Sequence, residues 1–563
     1  MDELARRIAV ARGDEPADLV VHGGHVLSVF TREWLDADVA IVDGVIAGVG
    51  RYEGRDSLDA TGRYVVPGFI DAHMHIESVK LLVDELARLI LPLGTTAIVA
   101  DPHEIANVLG VDGVNWLLDA SSGLQLEVFF MAPSCVPASA FESPRRPLTP
   151  GDLEALMRRR RVLGLAEMMN FPGVVRGLPG ELGKLELEGS AHADGHAPGL
   201  LGKELQAYAT SGIASDHEAL TAEEGRERLR AGMWLLIREA SMARNLEALL
   251  PLLAEYGSSR IAFCTDDRDP EDTADRGHIN GMVRDAVASG IAPEDALRSA
   301  SLSPAQWHGL KRHGAVAPGY NADLLVLPDL ERFVPELVLK RGRPIEEVPR
   351  RGVPEWVRHT VRIHPVTADD FLIPWAGGQA RAIGLVSDQV VTESLVVEPV
   401  VVDGLAVASP ERDLAKIAVV ERHLATGRVG LGFVSRSGLQ RGALASTVAH
   451  DAHNLVVLGM SDDDMVFAAT HLAAIGGGIV AVADGRVLAQ CPLPVAGLLS
   501  EAPLDDVIAQ SRACNEAAAK LGWVGATPFL TLAFLALSVI PSLKITDRGL
   551  VDVDRFELVP LAV

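Results

Sequence analysis

Between Pro67 and about Lys311, apolar runs with strand character alternate eight times with stretches whose apolar residues recur every three or four positions. The runs are FIDAHMH, TTAIVAD, LEVFFMAPS, VLGLAEMMN, ELEGSAHADGH, GIASDHE, WLLIREA and IAFCTDD. Intervening stretches such as LLVDELARLILPLG and AEEGRERLRAG have the spacing and mixed charge of amphipathic helices. Eight such units in roughly 245 residues are the usual size of a (β/α)₈ barrel, with an open doubly wound sheet as the second choice.

The flanks have a different pattern. Residues from about Asp18 to Val66 alternate Val and Ile around Gly and Asp-Gly breaks, as a small antiparallel unit does, and GAVAPGYNADLLVLPDL (Gly314 to Leu330) resumes that pattern. The expected architecture is a TIM-type barrel (67–313) inserted in a small β-sandwich domain (1–66 and 314–364). A C-terminal α+β domain (365–563) follows, with Val-rich strands, Gly turns and helical segments.

Composition narrows the function. A formal charge of -25 and a pI near 5.1 oppose nucleic-acid and anionic-membrane partners. The run Arg158 to Arg161 is read as a solvated helix face. Four scattered cysteines make no disulfide framework and point to a reducing cytoplasm. The charged N-terminus lacks the apolar region of a signal peptide, and Pro528 to Pro541 is shorter than the roughly 20 residues a spanning helix needs, so it is expected to be buried core. A homo-oligomer, dimer or larger, is expected.

Polar residues collect where the apolar runs end, which is where barrels of this kind place active sites. His73 and His75 close the first run two positions apart, so on a strand both rings point to one face. The second ends in Asp101, His103 and Glu104, the fourth contains Glu167, the fifth His192 and His196, the sixth His217 and Glu218, and the eighth Asp266 and Asp267. A carboxylate inside an apolar strand, such as Glu167, needs a cation. Four histidines and two carboxylates can hold two divalent ions: His73 and His75 on one, His196 and His217 on the other, with Glu167 and Asp266 completing the set. His192 and His196 share a strand face; His196, at the strand end before the APG turn, is preferred.

The motifs PGFIDAHMHIES, VADPHEIANVLG, AEMMNFPGV, DGHAPGL, SDHE, GAVAPGYNADLLVL, VAHDAHNLVVLG and PSLKITDRGLVDV resemble the bacterial and archaeal adenine deaminases of the amidohydrolase superfamily and span nearly the whole chain. The resemblance implies hydrolysis of adenine to hypoxanthine and ammonia by a metal-activated hydroxide, with manganese the first expectation and iron or zinc compatible with the ligands. Glu167 stands where many binuclear relatives bridge their ions with a carbamylated lysine. Asp266 would move the water proton to departing ammonia, while Glu218, or failing it Glu77, would serve a ring nitrogen. His103, Arg238 and His278 are candidates to contact the substrate. Glu239 is expected either to touch the base or to pair with Arg238. His450, Asp451 and His453 are read as turn or packing residues. The alternatives are a related amidohydrolase acting on another cyclic amidine or amide, and a non-enzymatic scaffold. The HxE and PCxxC signature of nucleic-acid-editing deaminases is absent.

Overall fold

The computed structural model describes residues 2–563 except 188 and 191. The barrel strands are Phe69–Met74, Thr95–Ala100, Glu127–Ala132, Val162–Met168, Ala193–Gly195, Ser215–Asp216, Trp234–Arg238 and Ile261–Cys264. The first five form one parallel sheet and the last three another. Parallel bridges between Ala193 and Ile213 and between Met74 and Asp266 join the two sheets edge to edge, closing the ring. All six residues of the first and second strands are buried, as barrel packing requires.

Strands five and six are shorter than the patterns ELEGSAHADGH and GIASDHE suggest. Side chains take over ladder bonds there: Gly195 N donates to Ser215 Oγ at 3.1 Å, and Ala197 N to Asp216 Oδ1 at 2.9 Å. Within the expected fifth strand, Glu188 and Ala191 lie outside the described residues.

The N-terminal strands and the returning strands Leu324–Leu327, Leu337–Lys340 and Arg343–Pro344 share one eight-stranded sheet. Leu325 pairs with Val66, so the barrel is an insertion between neighbouring strands of that sheet. A further eight-stranded sheet begins at Ala380–Leu385 and carries the helices Asp462–Ile475 and Leu504–Lys520. One apolar cluster runs from barrel residues such as Met74, Leu86 and Ile98 into Ile417, Leu444 and Leu499 of the C-terminal domain. Pro528–Phe534 is a buried helix of this domain, and among the described residues no helix is long and apolar enough to cross a membrane. Arg161 does not fit the solvated reading of its run: its guanidinium donates to Ser121 Oγ and Val128 O at 2.9 and 3.0 Å.

Candidate metal and active site

The strand ends converge on a small buried pocket lined by His75, His103, Glu167, His196, His217, Glu218, Arg238, Asp266 and Asp267 from the barrel. His450, Asp451, Phe534 and Leu537 line it from the C-terminal domain. His450 and Asp451 are therefore part of the site wall, which corrects their reading as turn or packing residues. The sequence gives no sign of this, because the domains meet only in the fold.

Hydrogen bonds set the histidine tautomers. His73 Nδ1 donates to the Asp194 carboxylate at 3.2 Å and His75 Nδ1 to the Asp101 carbonyl at 3.1 Å. Each ring therefore turns its Nε2 lone pair to the cavity. The two Nε2 atoms lie 3.2 Å apart, with Asp266 Oδ1 at 3.1 Å and Glu167 Oε1 at 3.4 Å from His75. Lone pairs and carboxylate oxygens facing one another repel unless a cation lies between them.

Glu167 Oε2 points the other way, 2.9 Å from His196 Nδ1 and 3.4 Å from His217 Nε2. Among the described residues neither this oxygen nor His196 Nδ1 has a hydrogen-bond partner, though both are buried. A buried polar atom without a partner costs about 1–3 kcal/mol, so the residues present fit a second cation here as well. Burial pushes His196 down, but Glu218 and Glu167 outweigh it and hold the ring up at about 9. His217 is held well below its ordinary value by burial and by neighbouring His73, which keeps a lone pair available.

Asp266 adopts a φ of 54°, a left-handed conformation rare for residues other than glycine, just beyond strand eight. Burial would raise its carboxyl, yet its surroundings, the buried Arg238 guanidinium among them, hold it well below the usual range. Arg238 donates to Asp266 Oδ2 at 3.0 Å and to Glu218 Oε2 at 2.9 Å. It pairs with these carboxylates and not with Glu239, which instead accepts from Leu246 N at 3.2 Å. Burial lifts Glu218 above the usual carboxylate range against the pull of Arg238.

Several expected positions fall elsewhere. Glu77 is outside the cavity lining: its Oε1 accepts from Ile105 N at 3.0 Å at the start of a helix, and burial with Glu104 nearby pushes it up to about 8. His278 does not lie over the cavity either, because Thr95 at the start of strand two and Asp71 hold it at 2.9 and 3.3 Å. His192 turns away to His308 at 3.0 Å, leaving His196 in the cavity. His103 lines the cavity between Asp101 at 3.1 Å and Asp451 at 3.3 Å. Sequence reasoning missed Asp194, whose only signal is its place between two histidines in HADGH.

Comparison with known proteins agrees with this geometry. Residues 64–345 match the amidohydrolase family and residues 389–557 match the adenine deaminase C-terminal domain. The chain is 46% identical over 570 residues to adenine deaminase 2 of Carboxydothermus hydrogenoformans, covering 100% of both. It is 46% identical over 558 residues to adenine deaminase of Oleidesulfovibrio alaskensis, covering 98% of each.

Proposed function

This chain belongs to the adenine deaminases of the amidohydrolase family, and from that premise we infer that it removes the 6-amino group of adenine by hydrolysis, giving hypoxanthine and ammonia. The observation that carries the site assignment is the division of Glu167, one oxygen toward His73 and His75 and the other toward His196 and His217. The family's divalent metal chemistry suits this donor set. Two ions are proposed, one beside each histidine pair, with manganese first and iron or zinc compatible with the same ligands. When bound, they make a water-derived nucleophile available near neutral pH.

The chain's own residues do the rest. Asp266 presents Oδ1 to the cavity while Arg238 holds Oδ2, so Oδ1 can take the water proton and return it to the departing amine. Glu218, lifted by burial, can hold a proton for a ring nitrogen of the purine, and Arg238 fixes its direction. Four unpaired buried cysteines support a cytoplasmic location, and the net charge of -25 supports the absence of a nucleic-acid partner. Exposed Val396, Val401 and Val402 on short strands support a dimer or larger assembly.

The test is adenine turnover, followed by ultraviolet absorbance and ammonia release, in protein loaded with manganese and again after chelation. Turnover that chelation abolishes and metal restores is expected, with Asp266→Asn lowering kcat by about 10²–10⁴-fold. Full turnover in metal-stripped protein would overturn the reading.

A further inference from the structure

The cavity wall contributed by the C-terminal domain carries two buried polar atoms that the chemistry above does not use. Asp451 Oδ1 faces His103 Nε2 at 3.3 Å and His450 Nδ1 at 3.6 Å, while its Oδ2 has no partner. His450 turns Nδ1 toward Glu104 and Asp451, and its Nε2, 3.9 Å from Asp267 Oδ1, has no partner within hydrogen-bond distance among the described residues. The two residues are 2% and 1% exposed, so water does not supply the missing bonds freely. Phe534 stacks on the His450 ring at 4.6 Å with planes 29° apart, fixing the plane in which Nε2 points.

A third cation in the neighbouring group of Glu104, His450 and His453 does not explain them. His453 Nδ1 accepts from Ala449 N at 3.0 Å, so its ring hydrogen sits on Nε2, facing Glu104 Oε2 at 3.5 Å. That leaves no lone pair for an ion. These residues brace the wall behind His450.

A carboxylate acceptor beside an imidazole donor is complementary to a purine edge that presents an N–H next to a ring nitrogen. Hydrolysis places C6 at Glu167, and the Asp451 contact lies beyond the His103 ring from Glu167, which is 3.7 Å from His103 Nδ1 on its near side. The edge remote from C6 is the one with N9–H and N3. We propose that Asp451 accepts from N9–H and His450 donates to N3, so that the C-terminal domain selects the free base over N9-substituted purines. This rests on the deaminase reading and adds to it a specificity role for the second domain. Asp451 and His450 here bind substrate without taking part in bond making. A site built around a substrate N–H rejects an analogue lacking it, because the buried acceptor is then left without a partner.

The experiment compares adenine with 9-methyladenine on the metal-loaded full chain and its Asp451→Asn and His450→Gln variants, with metal content and circular dichroism measured on each. Wild-type protein is expected to turn over adenine and to discriminate against 9-methyladenine. Asp451→Asn is expected to raise KM for adenine about tenfold or more with a smaller change in kcat, and to shrink the preference over 9-methyladenine by at least tenfold. His450→Gln should raise KM for both compounds and serves as the second variant if the first does not fold. A folded Asp451→Asn variant whose kcat/KM falls equally for both compounds or whose selectivity is that of wild type, or a folded His450→Gln variant whose KM for adenine is that of wild type, would overturn the inference alone. Wild-type protein inert toward adenine with two metals bound would overturn the deaminase reading and this inference with it.

Discussion

Glu167 is the residue on which the two halves of the site depend. Its oxygens face different histidine pairs, and among the described residues no other carboxylate lies within 4 Å of both. Glu167→Gln keeps the shape but replaces two anionic oxygens with one neutral oxygen and an NH₂ that no cation accepts. The variant should lose at least one equivalent of bound metal. Its kcat/KM should fall by more than about 100-fold, the upper end of what losing a ligand's supporting partner costs. Elemental analysis beside the turnover assay checks this; two retained equivalents with activity within tenfold of wild type would remove Glu167 as the bridge. Glu167 was legible in the sequence because a charge within an apolar run demands a partner. Asp194 was not, since its partner His73 is 121 positions away and nothing local in HADGH separates a ring-orienting carboxylate from a turn residue.

At the scale of elements, the alternation of strands and helices was legible along the barrel, and it was least accurate where the chemistry sits. Strands five and six shrink to three and two residues because their polar side chains replace ladder bonds in order to aim His196 and His217 inward. Tyr208, on the helix after strand five, ties the element down by accepting from His196 N at 3.0 Å and donating to Met168 O at 2.8 Å. Gly195 lets strands five and six approach. A Cβ there would lie 2.2 Å from Ser215 O and 2.7 Å from Ile213 Cγ2, and a backbone oxygen cannot yield unless the strand shifts. Gly195→Ala should lower stability by about 1–3 kcal/mol through overpacking. It should also lower activity more than that loss explains, because His196 moves with the strand. Thermal melts and turnover at a temperature where the variant is fully folded separate the two effects; normal activity and an unchanged Tm would show that the strands have slack.

At the scale of the whole molecule, the barrel and a separate C-terminal sheet domain were readable from changes in pattern, but their mutual contact was not, because its partners lie hundreds of residues apart. Glu142, in the loop after barrel strand three, is one such contact. Its carboxyl accepts from Ser538 Oγ, 396 positions away, and from Ala452 N at 3.2 Å. Burial, with Asp451 close by, pushes Glu142 up to about 8. An unfolded chain would release this proton near the ordinary value of 4.5. Between those two values the folded protein holds a proton that the unfolded chain has lost. Stability therefore falls as pH rises through that window, by up to about 1.4 kcal/mol per pH unit, and levels off above it. Below the window both states are protonated and the group contributes no pH dependence. Glu142→Gln mimics the protonated carboxyl, its oxygen accepting from Ala452 N and its NH₂ free to donate to Ser538 Oγ. The variant and wild type should melt together near pH 4.5 to 5, with the variant's Tm moving progressively above wild type toward pH 8. Melts of metal-loaded protein across that range decide the matter: parallel curves would mean that Glu142 is ionised in the folded state and that the domain contact is held by other groups.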